Sequence, residues 1–506
     1  MREPSVDKEA GGPASITRQA TSGVLWTGSY QIARQLLSIL SVSVLARYVP
    51  PSAYGLIGMA AVLTNFLDTI RDLGTTSALV REPKLTDRLV SAVFWVNCMF
   101  GVLLMLIVFG LSAPVALFFH EPQLTGILRW LSVMFVLMAF SVVPNAILNR
   151  RMAFRQVALA QFAGAVASAA VSVTLAVHGE GVWSLVFGSL ANHTVTAVAL
   201  WIGSSWSFRW VTNWRELRPI LSFSLNLSGF NVLNYFSRNA DNLVVGRFLG
   251  SSPLGYYQMA YSLMTYPLAN FSAVVCQVLL PGLSRVESDN ARFRSAYIRT
   301  CMLISLATFP AMLGVAVTSA PLVRVMLGTR WLPVAGLLKV FGPLGMAQSV
   351  FTTIGLIYTC KGRTDRLFRW GIISGTLYVA SFFAGLPWGI KGVAISYSIV
   401  WTLLMIPGFL IPFQLIELPL REFFARLWPV LKASLLMTLI AEIWLQGLYR
   451  AGLDQPAVQL FSTAAVGALC YIGVLWWWKP PVLGEVADLL EQSGNPVALK
   501  VARLLT

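Results

Sequence analysis

Blocks of apolar residues about 20 long, repeated from one end of the chain to the other, decide what this sequence can fold into. A helix needs about 20 such residues to cross the hydrocarbon core of a bilayer. On that ruler the 506 residues divide into fourteen spans: 20–46, 52–70, 89–116, 124–147, 154–177, 181–204, 220–246, 253–279, 298–320, 332–358, 368–387, 392–414, 424–446 and 457–478. A soluble chain keeps itself dissolved with roughly 25% charged residues, whereas this one has 11% charged and 56% hydrophobic residues. Lipid must therefore be the solvent for most of its surface. The expected fold class is an all-α polytopic membrane protein of about 14 transmembrane helices. Loops shorter than about 20 residues leave no room for an extramembrane domain.

The net charge of +16 would suggest nucleic acid in a soluble protein. Its distribution argues otherwise. Of the 37 Lys and Arg residues, 26 fall in the termini and the even-numbered loops with the first few residues of the spans that follow them, and only Arg47, Arg247, Arg324, Arg330, Lys391 and Arg450 fall in the odd-numbered ones. By the positive-inside rule both termini lie in the cytoplasm, and the charge is a topology signal with no nucleic-acid partner behind it. Residues 1–19 are polar and lack the apolar core of a signal peptide, so the first span is expected to act as an uncleaved signal anchor. The five cysteines form no CxxC pair, and His120, His178 and His193 show no metal-ligand spacing. No GxxxxGK[ST] loop is present, so nucleotide hydrolysis by a P-loop is excluded. With outer loops too short for a transferase or ligase site, the chain is expected to be a transporter and no enzyme, with no cofactor.

An internal repeat divides the spans. Arg47-Tyr-Val-Pro-Pro-Ser-Ala-Tyr-Gly-Leu-Ile-Gly-Met-Ala60 aligns without a gap on Arg247-Phe-Leu-Gly-Ser-Ser-Pro-Leu-Gly-Tyr-Tyr-Gln-Met-Ala260, at an offset of 200 residues. Arg, Ser, Gly, Met and Ala coincide, and Gln31 falls opposite Asn231. Six spans separate the copies, so both insert with the same orientation, as in transporters built from two parallel six-helix lobes. The expected organisation is a cytoplasmic N-terminal segment (1–19), an N-lobe (20–204), a cytoplasmic linker (205–219), a C-lobe (220–414), two added helices (415–479) and a cytoplasmic amphipathic tail (480–506).

Polar residues at membrane depth mark where chemistry would occur. In span 7, Ser224, Asn231, Asn234, Arg238 and Asn242 recur at helical spacing and share a face, with Asp241 one turn from Arg238. In span 1, Thr27, Gln31, Arg34, Gln35 and Ser38 make a similar stripe. A charge at the centre of a membrane helix costs about 2.5–3.5 kcal/mol on insertion scales, so both stripes should face water or each other. Read functionally, Arg34 and Arg238 bind a diphosphate or another acidic group, because guanidinium stays charged and donates two hydrogen bonds at once. Read structurally, Arg238 is neutralised by Asp241, and Arg34 by Asp68 or Asp241. Asp241 is alternatively a proton or sodium site. Arg47 and Arg247 end their helices at the outer face, where they either meet ligand or snorkel. Arg129 and Lys339 occupy matching positions in spans 4 and 10 and read as snorkelling residues; Glu442, outside the repeat, reads as structural. Pro267 and Pro310 sit within spans as potential kinks, and Trp476-Trp477-Trp478 reads as an interfacial anchor.

Three stretches carry a family resemblance: Arg238-Asn-Ala-Asp-Asn-Leu-Val-Val-Gly-Arg-Phe-Leu-Gly250; Leu254-Gly-Tyr-Tyr-Gln-Met-Ala260, followed by Pro267; and Leu280-Pro-Gly-Leu-Ser-Arg285. They resemble Wzx-type polysaccharide exporters, most nearly the colanic-acid and teichuronic-acid exporter branch. Arg47 to Gly55 with Asp72-Leu-Gly74 fits the same pattern. The resemblance implies the multidrug/oligosaccharidyl-lipid/polysaccharide (MOP) flippase fold, with two pseudo-symmetric six-helix lobes forming a V and two extra C-terminal helices. It implies a flippase of the inner membrane that moves undecaprenyl-diphosphate-linked oligosaccharide repeat units to the periplasmic leaflet by alternating access. The products would be exopolysaccharide, capsule or O-antigen, and the partners membrane lipids and a polysaccharide polymerase with its co-polymerase. In the cationic cavity of such flippases, Arg34 and Arg238 would take the diphosphate and Gln31, Asn231 and Asn234 the sugar hydroxyls. Asp241 offsets one arginine and leaves room for cation coupling. A peptidoglycan lipid-precursor flippase and a cation-coupled small-molecule exporter of the same superfamily are the alternatives.

Overall fold

No water reaches the bilayer core, so each apolar span must satisfy its own backbone hydrogen bonds, which a helix does within one segment. The computed structural model describes residues 33–71, 86–206, 239–266 and 289–478, with Gly484. Among these there is no strand. Ten stretches among them are long and apolar enough to cross a membrane, and two of these contain more than one helix. The chain is a multi-pass membrane protein.

By its internal contacts the chain forms two compact units, Met1–Gly255 and Tyr256–Thr506. In the first, helix α1 covers residues 33–48, followed by α2 (Pro51–Arg71), α3 (Asp87–Phe119), α4 (Gln123–Arg150), α5 (Phe154–Val177), α6 (Val182–Ser204) and α7 (residues 239–249). Helix α8 (251–266) begins in this unit and ends in the second. Thr86 caps α3 by accepting a hydrogen bond from the Leu89 amide at 3.2 Å. Helices α3 with α4 and α5 with α6 pack closely. Small residues make this possible, because membrane helices associate by close packing and not by a hydrophobic driving force. A Cβ on Gly101 would lie 2.7 Å from the Ala139 methyl, and one on Gly188 would overlap the Ser172 hydroxyl. Arg151 donates to the Ser204 carbonyl at 2.9 Å, which satisfies the C-terminus of α6 and places the α4–α5 turn beside it.

The second unit contains α9 (Asn290–Val317), α10 (Ser319–Met326), a short turn (Thr329–Trp331), α11 (Leu332–Phe351), α12 (Ile354–Cys360), α13 (Thr364–Gly385), a turn (Leu386–Trp388), α14 (Gly389–Phe413), α15 (Leu420–Arg450) and α16 (Pro456–Trp478). Two elements differ from the apolar spans. Helix α9 starts eight residues before the expected 298, because Asp289 accepts from the amides of Ala291 and Arg292 at 3.0 and 3.1 Å and so starts the helix in polar sequence. The span expected as 332–358 is two helices broken at Thr352–Thr353, whose buried Thr353 hydroxyl meets the Tyr297 hydroxyl at 2.8 Å. A core of Phe293, Tyr297, Phe409, Phe413 and Phe423 joins α9, α14 and α15.

One polar cluster fixes how these helices alternate. Asn290 donates to Glu417 at 3.1 Å, Arg294 to the Glu417 carbonyl at 2.8 Å, and Lys361 to Asn290 at 2.8 Å. The start of α9, the end of α12 and the α14–α15 turn therefore share one end of this unit. That is the end at which the even-numbered loops concentrate Lys and Arg.

Candidate functional site: the repeat-related helix crossing

The two copies of the internal repeat meet in space. A Cβ on Gly55 would overlap the carbonyl of Ser251, and one on Gly255 would overlap the carbonyl of Pro51. Residues 51 and 251, and 55 and 255, are each 200 apart, so each copy presents its glycine to the same position of the other. This is the self-complementary contact of a local two-fold axis. Both starts approach backbone to backbone, which only residues without a Cβ allow. The first turn of α8 packs on α2, and the boundary between the two compact units falls directly after it, at Gly255 and Tyr256. Residues 207–219 of the expected linker lie outside the described residues.

The end of α3 braces the crossing. A Cβ on Gly246 in α7 would lie 2.9 Å from the Phe119 ring, 3.2 Å from Leu254 and 3.3 Å from Met59. His120 closes α3 in the left-handed region, with φ at 58°. Its Nδ1 accepts a hydrogen bond from the Arg247 guanidinium, which also lies 5.6 Å from the Phe118 ring centroid and 5.8 Å from that of Phe248. With Nδ1 accepting, the imidazole is the neutral tautomer protonated on Nε2. Arg247 is thus half-buried and held in place by α3.

Of the other residues singled out in the sequence, Arg34 lies on an exposed part of α1 and makes no ion pair among the described residues. Asp68 does not serve as its counterion there, because its carboxylate receives Arg71 at 2.6 Å. Arg47 is exposed near the end of α1. Asp241 is buried in α7, at 8% exposure, and one carboxylate oxygen accepts from the Asn242 amide at 2.8 Å. Gln31, Asn231, Asn234, Arg238 and Pro267 lie outside the described residues. Arg129 bonds the Ser112 hydroxyl at 3.3 Å and covers the Phe109 ring at 4.9 Å, so it is tied to α3 by more than its charge. Glu442 accepts from Gln446 one turn along α15 at 2.9 Å, a local helical pair.

Comparison with known proteins follows the same pattern. A family model described as polysaccharide biosynthesis protein matches residues 44–336, which include both copies of the repeat. The chain belongs to this family. It is 24% identical over 470 residues to the teichuronic acid biosynthesis protein TuaB of Bacillus subtilis, covering 91% of this chain and 96% of that protein. It is 22% identical to the lipopolysaccharide biosynthesis protein WzxC of Escherichia coli over 82% of this chain and 85% of that one. It is 25% identical to the succinoglycan biosynthesis transport protein ExoT of Rhizobium meliloti over 94% and 97%. In fold it is similar to the lipid II flippase MurJ in an inward closed conformation, with a TM-score of 0.74 at 18% identity over 91% of this chain and all of that one. A multidrug resistance MATE transporter of the MOP superfamily shares the fold with a TM-score of 0.59 over 76% of the chain. The fold is that of the MOP flippases.

Sequence alone does not mark Gly55 and Gly255 as functional residues, although both fall at identical positions of the repeat. The available signal was small-residue identity at the start of repeat-related helices. Polar residues at membrane depth give the stronger signal, because each carries an insertion cost.

Proposed function

We propose that this protein is a flippase that moves a polyprenyl-diphosphate-linked oligosaccharide repeat unit from the cytoplasmic to the periplasmic leaflet of the inner membrane, for assembly of a cell-surface polysaccharide. The observation that carries this reading is the crossing of two repeat-related helices at Gly55 and Gly255 in a chain of the polysaccharide biosynthesis family. A contact made by backbone against backbone opens without unpacking interdigitated side chains, which suits alternating access. The relatives are named for three different polymers, teichuronic acid, lipopolysaccharide and succinoglycan, and one of them is named as a transport protein. In this reading the feature common to the three is a lipid carrier, so recognition should rest on the diphosphate more than on the sugars. Sharing a fold with the lipid II flippase supports lipid-linked cargo and does not favour the peptidoglycan precursor over a polymer repeat unit.

In this reading Arg34 and Arg238 take the diphosphate, Gln31, Asn231 and Asn234 contact sugar hydroxyls, and the buried Asp241 is the proton or sodium coupling site. Arg247 holds the outer crossing closed through His120, and Arg47, its counterpart in the repeat, contacts the substrate as it leaves. The concentration of Lys and Arg at the Asn290–Lys361–Glu417 end supports a cytoplasmic location for both termini. The protein works as a transporter and no enzyme, handing its cargo to a polymerase and co-polymerase. The test is complementation of an exporter-deficient strain. Arg34→Ala and Arg238→Ala are expected to abolish polymer secretion at normal membrane abundance, with Arg→Lys restoring only part. Normal secretion by both alanine variants would refute the diphosphate assignment.

A further inference from the structure

Apart from the crossing, the second unit has a groove on its surface between α11 and α14. It is lined by Val340, Ile395, Ser398, Ile399, Thr402 and Leu403, with a volume of about 330 Å³. Ile395, Ile399 and Leu403 recur every fourth residue on the exposed side of α14, in two stretches long and apolar enough to lie in a membrane. Its two hydroxyls do not make it polar. Ser398 donates to the Ala394 carbonyl and Thr402 to the Ser398 carbonyl, both at 2.7 Å, so their hydrogen bonds are spent within α14. To a hydrocarbon chain the groove is apolar over two turns, about 12 Å along the helix axis.

Among the described residues, two lysines lie at one end of it. The Lys391 side chain runs over Gly336, where an added Cβ would sit 3.3 Å from Cε and 3.8 Å from Nζ. Lys391 lies one turn before Ile395 on α14, and Gly336 one turn before Val340 on α11, so the ammonium stands at the mouth of the groove. Lys339, exposed, lies three residues after Gly336 on α11 and so neighbours it on the helix surface. Neither lysine has an acidic partner among the described residues. Trp388, 75% exposed and just before α14, marks this end as the membrane–water interface.

We propose that this groove is a binding site for an anionic glycerophospholipid of the surrounding bilayer, with its phosphate between Lys339 and Lys391 and one acyl chain along Val340, Ile395, Ile399 and Leu403. A transported lipid would need a polar path for its head group across the membrane. A groove with cations at one mouth and hydrocarbon beyond holds a lipid that stays in its leaflet. The site is therefore distinct from the substrate path, and it couples the helical surface to the charge of the membrane.

The test uses the purified full-length protein, stripped of lipid in detergent and titrated with phosphatidylglycerol or phosphatidylcholine, with bound lipid counted by native mass spectrometry. Wild type is expected to retain one phosphatidylglycerol in preference to phosphatidylcholine. The K339Q/K391Q variant should bind phosphatidylglycerol roughly 30-fold more weakly, at about fivefold per lysine, and lose the preference. Ile399→Trp, which fills the groove and leaves the charges, should weaken both lipids. Unchanged phosphatidylglycerol binding in both variants would overturn the site. Displacement of phosphatidylglycerol by equimolar undecaprenyl diphosphate, with the same loss in K339Q/K391Q, would overturn the choice of a resident lipid and make this a substrate-tail site.

Discussion

Gly55 and Gly255 differ from most glycines of the chain in what occupies the space beside them: the partner copy's backbone, which cannot rotate away as a side chain can. A methyl group there must push two helices apart, and overpacking of this kind costs about 1–3 kcal/mol. Gly55→Val and Gly255→Val are each expected to reduce polymer secretion by about tenfold or more at normal membrane abundance, one decade corresponding to about 1.4 kcal/mol. Gly110→Val, within α3 where no atom lies within 4 Å of an added Cβ, controls for glycine loss in general. Secretion at the wild-type level from both crossing variants would show that this contact is not part of the working cycle. At this scale the sequence was only partly readable. The repeat exposed the two glycines as equivalent, but equivalence in sequence does not say that two positions touch. Arg247 looked like a residue that either snorkels or meets ligand, and the structure gives it a third role through His120, 127 residues away. Nothing in local spacing could have shown that pairing.

At the scale of elements, hydropathy was a sufficient guide wherever lipid sets both ends of a helix. Span 154–177 coincides with α5, and 457–478 differs from α16 by a single residue at its start. It failed where polar chemistry sets the boundary. Asp289 begins α9 in a stretch with three arginines, Arg292, Arg294 and Arg299, which no apolar ruler would include. The break at Thr352–Thr353 is invisible for the opposite reason, since a two-residue interruption barely changes the mean hydropathy of its window. Membrane orientation is a property of elements and can be tested there. A reporter fused at Lys361, which bonds Asn290 at the Lys/Arg-rich end, should read cytoplasmic, and one at Lys391, at the opposite end of α14's unit, periplasmic. Reversed signals would overturn the orientation, and with it the direction proposed for transport.

For the whole molecule, fold and family were legible because the apolar period extends over nearly the entire chain and a short internal repeat marks its two halves. The relatives confirm that reach, matching 91% of the chain for TuaB and 94% for ExoT. The proposed cavity is legible only as two stripes of residues. Arg34 belongs to a described helix, whereas Arg238, Gln31, Asn231 and Asn234 lie outside the described residues, so their meeting is a proposal to be tested by function. Asp241 connects that proposal to an energy source: a buried carboxylate that binds and releases a cation would make transport depend on pH or sodium. Reconstituted vesicles with a fluorescent undecaprenyl-diphosphate oligosaccharide in one leaflet, and a membrane-impermeant quencher outside, measure translocation itself. The account predicts transfer by the wild-type protein that a proton or sodium gradient accelerates, no transfer by the R34A/R238A variant, and transfer by Asp241→Asn that the gradient no longer affects. Equal transfer by wild type and R34A/R238A, or none by the wild type under either gradient, would contradict it.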